Sequence, residues 1–312
     1  MIDIRPYREQ EDAAAVYALW QTALGRQWPI GAGDFHKLLT DFPQYQAGDY
    51  FVASENDQIV GFVAAQIDRS NLAFSGIAAL FVDPQFQRRG IGTRLHQAAL
   101  ERLREIGAGM VQLGCGGYSY FWPGVPDNLP AAKLFFEACG WRFEAPCYDL
   151  AQPMQGYRSP HDLATDTIIG LATPGDATAL LEFERREFPH WLGAFQPTIE
   201  IGDFHELLLA RKPTNRAIVG SLILYSPLAH PSRFDGIWKA MLGEPLSEIG
   251  CVGVAEAEQG RGIGTAMVAR ASEILQQRGA AAVHIGWVYR VDFYGRLGYA
   301  KWQAFHMSSR SL

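Results

Sequence analysis

The chain is short of cysteine, of basic charge and of long apolar runs, and each shortage removes a class of function. Its four cysteines, Cys115, Cys139, Cys147 and Cys251, stand apart, with no Cys-x-x-Cys pair and no histidine at metal-ligand spacing. That argues against a disulfide-stapled secreted fold and a zinc module; it predicts reduced thiols and no metal site. With 27 Lys and Arg against 33 Asp and Glu the formal net charge is −6, the opposite of the basic surface that grips nucleic acid. No apolar run is long enough to cross a bilayer. The opening residues, Met1-Ile2-Asp3-Ile4-Arg5-Pro6, are charged from the third position and hold no signal-peptide apolar stretch. The expectation is a cytoplasmic protein with neither a nucleic-acid nor a membrane partner. Two common phosphate loops are missing as well: no Gly-Lys-Ser/Thr occurs after a glycine loop, and no Gly-x-Gly is completed to Gly-x-Gly-x-x-Gly.

What is present is material for two cores. The sequence has 312 residues, 48% of them hydrophobic, a length that suggests about two domains of ~150 residues. Apolar periodicity predicts a strand over 2–5 and a helix over 12–24 with Ala15, Val16, Leu19 and Trp20 on one face. A short helix capped by Asp34 follows, then a hairpin of 50–54 and 58–67 turning at 55–57. A strand over 72–82 leads into a glycine-rich turn and a helix that stops at Gly107, with Leu95, Ala99, Leu103 and Ile106 on one stripe. A strand over 110–113, a helix over 131–139 and an extended 141–148 complete the set. Residues 151–165, rich in proline, glycine and polar side chains, read as a linker. The same order then begins again. The predicted division is a domain over 1–150, the linker, and a domain over 166–312.

Two stretches carry the duplication. Gln87-Arg88-Arg89-Gly90-Ile91-Gly92-Thr93 and Gln259-Gly260-Arg261-Gly262-Ile263-Gly264-Thr265 lie 172 residues apart. Gly33-Asp34-Phe35-His36-Lys37-Leu38-Leu39 and Gly202-Asp203-Phe204-His205-Glu206-Leu207-Leu208 share six of seven letters at an offset of 169. Near-constant offsets in the same order indicate a repeated unit. His36 and His205 read as helix-start structure. A longer insertion over 226–246 precedes the last strand–loop–helix unit of the second copy. Each glycine stretch follows an apolar run and opens a helix, so unpaired N–H groups and the helix dipole form an anion cradle. The hairpin strands with a central crossover imply α/β or α+β domains, each built on a mixed, largely antiparallel twisted sheet flanked by helices.

The Gln-x-x-Gly-x-Gly pattern after a strand ending in valine resembles the acyl-CoA loop of the GNAT N-acetyltransferase superfamily. Phe293-Tyr294-Gly295-Arg296-Leu297-Gly298-Tyr299 resembles that family's late helix-and-turn motif, and Phe135 to Trp141 is the first copy's version. The resemblance spans the chain as two tandem domains and is most similar to tandem acetyltransferases of the mycothiol synthase type. It implies acetyl-CoA as donor and a small-molecule primary amine as acceptor, with transfer by direct attack in a ternary complex. It implies a cofactor site of Val252, Gly253, Val254, Gln259, Gly260, Arg261, Gly262, Ile263, Gly264 and Thr265. The first copy offers a second loop of Val82, Gln87, Arg88, Arg89, Gly90, Ile91, Gly92 and Thr93. Where many members have an asparagine before the late helix, this chain has Trp287 to Arg290.

Acetyl transfer to an amine needs a base toward the acceptor and an acid near the sulfur. Glu248, six residues before Val254, matches the family's general-base position, and Tyr294 matches its general-acid tyrosine. The first copy has Gly76 and Phe136 at those places, so the resemblance assigns catalysis to the second domain. His284, Tyr289 and Asp292 lie near the same strand end as secondary candidates. Tyr118, Tyr120, Phe121 and Trp122 fit either an acceptor groove or a core in the first copy. Two other readings remain open at this point: a non-catalytic acetyl-CoA sensor, and a protein or peptide N-acetyltransferase.

Overall fold

Asn56 and Asp57 take positive φ values of 50° and 64°, the left-handed pair that a two-residue hairpin turn demands. They join the first two long strands, as the sequence predicts. The computed structural model describes residues 2–40, 44–69, 71–114, 121–159, 165–233 and 236–312. Within it the chain forms two compact units, residues 1–147 with 303–312, and residues 148–302.

The first unit begins with β1 (Asp3–Pro6), α1 (Glu9–Ala23) and α2 (Ala32–Thr40). The sheet continues with β2 (Tyr50–Glu55), β3 (Gln58–Gln66) and β4 (Gly76–Val82). After α3 (Ile91–Glu105) come β5 (Met110–Leu113), β6 (Val125–Pro126), α4 (Pro130–Ala138) and the start of β7 (Cys147–Pro153). β4 is shorter than the apolar run suggests, because 72–74 form a separate 3-10 turn capped by the Asn71 side chain. α1 starts at Glu9, and its buried face holds Val16, Leu19, Trp20 and Asp12 rather than Ala15. Asp12 tolerates burial because the Arg5 guanidinium meets its two oxygens at 2.7 Å. Asp34 lies inside the first turn of α2, which begins at Ala32, and not at the position before it.

One face of this sheet buries Leu95, Ala99 and Leu103 of α3 against Val63, Ala65 and Val82, each leucine contributing ~1.5–3 kcal/mol of burial. The other face carries an aromatic core. Trp20 stacks on Trp122 at 5.5 Å and lies 5.1 Å from Phe121. Phe121 and Trp122 are therefore core; Tyr118, Tyr120 and Cys115 lie outside the described residues.

The second unit continues β7 with β8 (Ile168–Leu171), α5 (Ala177–Glu187), α6 (Leu192–Glu200), β9 (Leu207–Arg211), β10 (Ile218–Tyr225) and α7 (Lys239–Leu242). Then follow β11 (Leu246–Val254), α8 (Ile263–Gln277), β12 (Ala282–Val288), α9 (Val291–Gly295) and the start of β13 (Ala300–His306); β14 (Ser309–Ser311) belongs to the first unit. The strands of the second unit run β7-β12-β11-β10-β9-β8, with β11 and β12 parallel and the ladders on either side antiparallel. Met267, Val268 and Leu275 of α8 pack with Leu222 and Val283 on one face; Leu180, Phe183 and Phe195 of α5 and α6 pack with Leu207 and Leu209 on the other. In the first unit the order is β1-β2-β3-β4-β5-β14, with β4 and β5 parallel.

Two expectations change. The boundary at 150 and the linker over 151–165 give way to a division at 147/148, since β7 runs to Pro153 and pairs with β12, from Tyr148↔Val288 to Pro153↔Ala282. Residues 303–312 leave the second domain because Ser309–Ser311 pair with β5 and Phe305 with Pro126. Hydrogen-bonded ladders, which composition does not report, set both limits. The Gly-Asp-Phe-His repeat is also not an equivalence. Residues 33–39 are helical in α2, whereas 202–208 follow α6 as a turn, a 3-10 segment and the first residues of β9. The element matching α2 is α6, where Phe195 is buried as Phe35 is. The glycine loops keep the duplication.

Cys139 and Cys251 are free thiols. No helix among the described residues is long and apolar enough to cross a membrane.

Candidate active site

β11 and β12 pair side by side only over Leu246↔Ala282, Ser247↔Val283 and Glu248↔His284. Beyond Glu248 each strand has a bulge. On β11 the register against β10 shifts opposite Cys251, whose φ is +52°. On β12 the register against β7 shifts opposite Asp149, and Trp287 takes φ +57°. Bulges bend a strand and raise its twist, and here they stand on both sides of the point where the parallel ladder stops. Glu248 and His284 occupy the last shared row, at the crotch of a fork.

Glu248, His284 and Asp149 form one buried cluster. His284 Nδ1 lies 3.2 Å from Glu248 Oε1, and His284 Nε2 lies 3.0 Å from Asp149 Oδ2. The Trp287 backbone N–H donates to the second oxygen of Asp149 at 2.8 Å. The Asp149 side chain is 3% exposed and that of His284 8%, while Glu248 keeps 23%. Burial by itself would lower the His284 pKa. The charge of Asp149 and hydrogen bonds to both carboxylates outweigh it and raise the ring to about 10. Trp302 packs edge-on against the imidazole at 5.7 Å. Strand pattern and loop offset point to Glu248; Asp149 is invisible to that reasoning, because it stands 135 residues from His284 on a strand the sequence assigns to the first domain.

Downstream, Gly262 is the N-cap of α8 with φ +77°, and Gly260 has φ +79°. No atom stands within 4 Å of where a Cβ would be at either glycine, so the backbone is open there. No side chain caps the helix. The Ile263 side chain is buried in the core. Gln259 turns back, its Nε2 donating to the Val254 carbonyl at 3.1 Å, and Arg261 is held by Glu258 and Asp166. Thr265 and Gly264 follow in the first turn, where a Cβ on Gly264 would come within 3.3 Å of Phe293 in α9. Val252 and Val254 pack against the same core, and Gly253 and Val254 pair with Ser221 and Gly220 of β10.

Tyr294 sits in α9 beside Phe293, ring centroids 4.7 Å apart. Burial pushes its hydroxyl up to about 12, Arg290 opposing and Cys251 adding to the shift. Tyr289 is exposed, its hydroxyl 3.2 Å from Trp287 Nε1, and Asp292 is exposed in the first turn of α9. His36 lies within α2, and His205 Nε2 is 3.1 Å from the Leu228 carbonyl.

The first unit repeats the loop without the charged cluster at the fork. Gly90 caps α3 at φ +76°, Arg88 takes φ +62° where the second loop has Gly260, and Gln87 Nε2 reaches the Val82 carbonyl at 3.1 Å. Arg89 pairs with Glu55 at 2.6 Å, and a Cβ on Gly92 would come within 3.3 Å of Phe135. Ile91 is buried as Ile263 is, and Thr93 lies in the first turn of α3. At the fork Gly76 pairs with Gln112 and Gln112 with Ser309. Residues 122–124 press on the end of β5: a Cβ on Gly114 would stand 2.6 Å from the Gly124 nitrogen. Phe136 is buried beside His96 and Trp141.

Comparison with known proteins agrees with this geometry. The model of the acetyltransferase (GNAT) family matches residues 13–141 and 177–299. A mycothiol acetyltransferase of Sanguibacter keddieii is 32% identical over 144 residues, 44% of this chain and 42% of that protein. Among solved structures, a GCN5-related glucosamine N-acetyltransferase region of a fungal multi-domain GH3 β-N-acetylglucosaminidase superposes with a TM-score of 0.91 at 34% identity, over 99% of this chain and 38% of that one. A GCN5-related N-acetyltransferase of Sphaerobacter thermophilus gives 0.75 at 18% identity, over 99% and 95%, a likeness of fold. The matches thus span less than half the length of the first two relatives.

Proposed function

Because the chain belongs to the GNAT acetyltransferase family, we propose that it transfers the acetyl group of acetyl-CoA to the primary amine of a small acceptor, an amino sugar, and that the second unit does so by direct attack. The observation that carries this reading is Glu248: a partly exposed carboxylate at the crotch of the fork, upstream of an open glycine loop, where the first unit has Gly76. The mycothiol acetyltransferase supports a small acceptor, and the glucosamine N-acetyltransferase region supports the amino-sugar class. So does the setting, a carboxylate for the amine with the half-buried Trp302 ring close by for the apolar face of a sugar.

The residues of the second loop fit the donor. Two left-handed glycines and an uncapped helix N-terminus suit a diphosphate held by backbone N–H groups from Gln259 to Thr265. The backbone of Val252, Gly253 and Val254 would line the pantetheine arm as an added strand does. Acetyl-CoA would supply a thioester whose carbonyl carbon accepts the amine and whose sulfur leaves.

An alkyl ammonium must lose a proton before its nitrogen can attack. Glu248, partly open to solvent, takes that proton, directly or through one water. As the amine nitrogen bonds to the acetyl carbon and the carbon–sulfur bond breaks, Tyr294 meets the charge left on sulfur. A hydroxyl pushed up to about 12 is a weaker acid than an alkyl thiol near ~8.5. Tyr294 therefore acts chiefly as a hydrogen-bond donor to the leaving thiolate. The first unit, with Gly76 and Phe136 in these places, serves as structure.

The test is release of CoA thiol by the purified chain with acetyl-CoA and a panel of glucosamine, other amino sugars, aminoglycosides, simple amines and peptides. The expected result is turnover concentrated in the amino sugars. Turnover with peptides alone contradicts the small-acceptor reading; binding of acetyl-CoA with no thiol release across the panel contradicts catalysis.

A further inference from the structure

Two charged residues behind Glu248 take no part in the transfer as derived above, yet they are built with more care than a strand needs. The two sheets share one register at the fork. Gly76 pairs with Gln112 and Gln112 with Ser309 in the first unit, as Glu248 pairs with His284 and His284 with Ala151 in the second. Two residues before Ser309, Met307 stands where the second unit has Asp149 two residues before Ala151. A GNAT fork thus forms in this chain with glycine, glutamine and methionine in place of all three charges. Burying two carboxylates and an imidazole is costly unless each finds partners, so the cluster is not explained by the needs of the fold.

Its hydrogen bonds define its state. Ionised carboxylates only accept, and His284 has one on each ring nitrogen, at 3.2 Å and 3.0 Å. Both nitrogens must then donate, which makes the ring an imidazolium. Asp149 is fixed in turn, since its second oxygen takes the Trp287 N–H. A chain of contacts runs from the β12 bulge through Asp149 and His284 to one oxygen of Glu248. The groups that titrate against His284 are Asp149 from β7 and Glu248 from β11; Trp302 from β13 packs against its edge and carries no charge.

We propose that Asp149 and His284 are positioning residues for acetyl transfer: Asp149 holds His284 as a doubly protonated ring, and His284 fixes one oxygen of Glu248 and leaves the other for the acceptor amine. The proposal rests on Glu248 being the group that meets the amine. The three groups together carry one net negative charge, which draws an ammonium. Losing the Asp149 charge removes the largest support of the imidazolium, so the ring moves toward its ordinary value and Glu248 loses its cation as pH rises through it.

The experiment pairs side-chain 15N NMR of the histidine rings in the full-length protein with the pH profile of kcat/KM for CoA release, in the wild type and in Asp149→Asn. In the wild type His284 is expected to stay protonated on both nitrogens at pH 8. In Asp149→Asn the ring titrates near neutrality, a new inflection enters the profile at the same pH, and kcat falls roughly tenfold, a fraction of the 10²–10⁴ that a general base contributes. Acetyl-CoA affinity by calorimetry stays unchanged. A neutral His284 in the wild type at pH 8 overturns the proposal, and this reading does not depend on the variant folding. A doubly protonated His284 together with an unaltered profile in Asp149→Asn overturns the positioning role alone. Full turnover in Glu248→Gln overturns the base assignment on which it stands, while leaving the NMR result as it is.

Discussion

At the scale of single residues, the proposed function rests on a few substitutions on a shared backbone. Glu248, His284 and Asp149 replace Gly76, Gln112 and Met307, and Tyr294 replaces Phe136. The His284 ring, raised to about 10, contributes stability that is whole below its ordinary 6.5 and is lost as pH rises through about 10. Glu184 of α5 titrates the other way in its effect. Burial raises its carboxyl to about 7 despite the Ser221 hydroxyl that donates to one oxygen, and the other oxygen is buried without a partner. A carboxyl raised above its unfolded value of 4.5 costs nothing below that pH; its destabilisation grows as pH rises from 4.5 to about 7 and is complete above it. Glu184→Gln is therefore expected to stabilise the protein by up to about 3 kcal/mol at pH 8, from the size of the shift, and to be neutral at pH 4. Thermal unfolding at the two pH values checks it, and an equal change at both would rule out the buried carboxyl as the cause. Glu248 was legible because its distance from the loop is fixed along one strand. His284 could be flagged only as a neighbour of that strand end, and Asp149 not at all, since backbone pairing brings it in from 135 residues away.

At the scale of elements, the glycine loop and the helix behind it were legible because a left-handed cap and an open helix start demand particular residues at particular spacings. The Gly-Asp-Phe-His segment was misleading for the opposite reason. Its seven residues hold no such demand, so tertiary context makes them helix in α2 and a strand entrance before β9. The two loops differ in what surrounds them: the first has Arg88 at a left-handed position and an end of β5 pressed by residues 122–124. Gly262→Val places a branched side chain at φ +77°, a conformation that costs an L-residue ~1–2 kcal/mol before any clash with a diphosphate. Calorimetry with acetyl-CoA is expected to lose about tenfold or more in affinity, with no residual stoichiometric site. A full equivalent of binding left in the variant would move the donor site to the first loop.

At the scale of the whole molecule, each unit is completed by a strand from beyond its expected limit, and no composition signal marks that exchange. β14, at the far end of the sequence, hydrogen-bonds to β5 of the first unit, and the Leu113 N–H donates to the Ser308 carbonyl at 2.9 Å. Removing residues 303–312 should therefore loosen the first unit: hydrogen exchange at Val111 and Leu113 is expected to rise sharply, with little change at β9 and β10. The reverse pattern would mean that the unit limits are wrong. The same exchange gives the second unit Asp149 through β7 and so completes the cluster behind Glu248. The central claim, acetyl transfer by the second unit on Glu248, is tested most directly by single-turnover CoA release from enzyme saturated with acetyl-CoA and glucosamine, comparing the wild type with Glu248→Gln. The account predicts a fall in the chemical rate of about 10²–10⁴, the usual contribution of a general base, with acetyl-CoA still bound at wild-type affinity; an unchanged rate would contradict it.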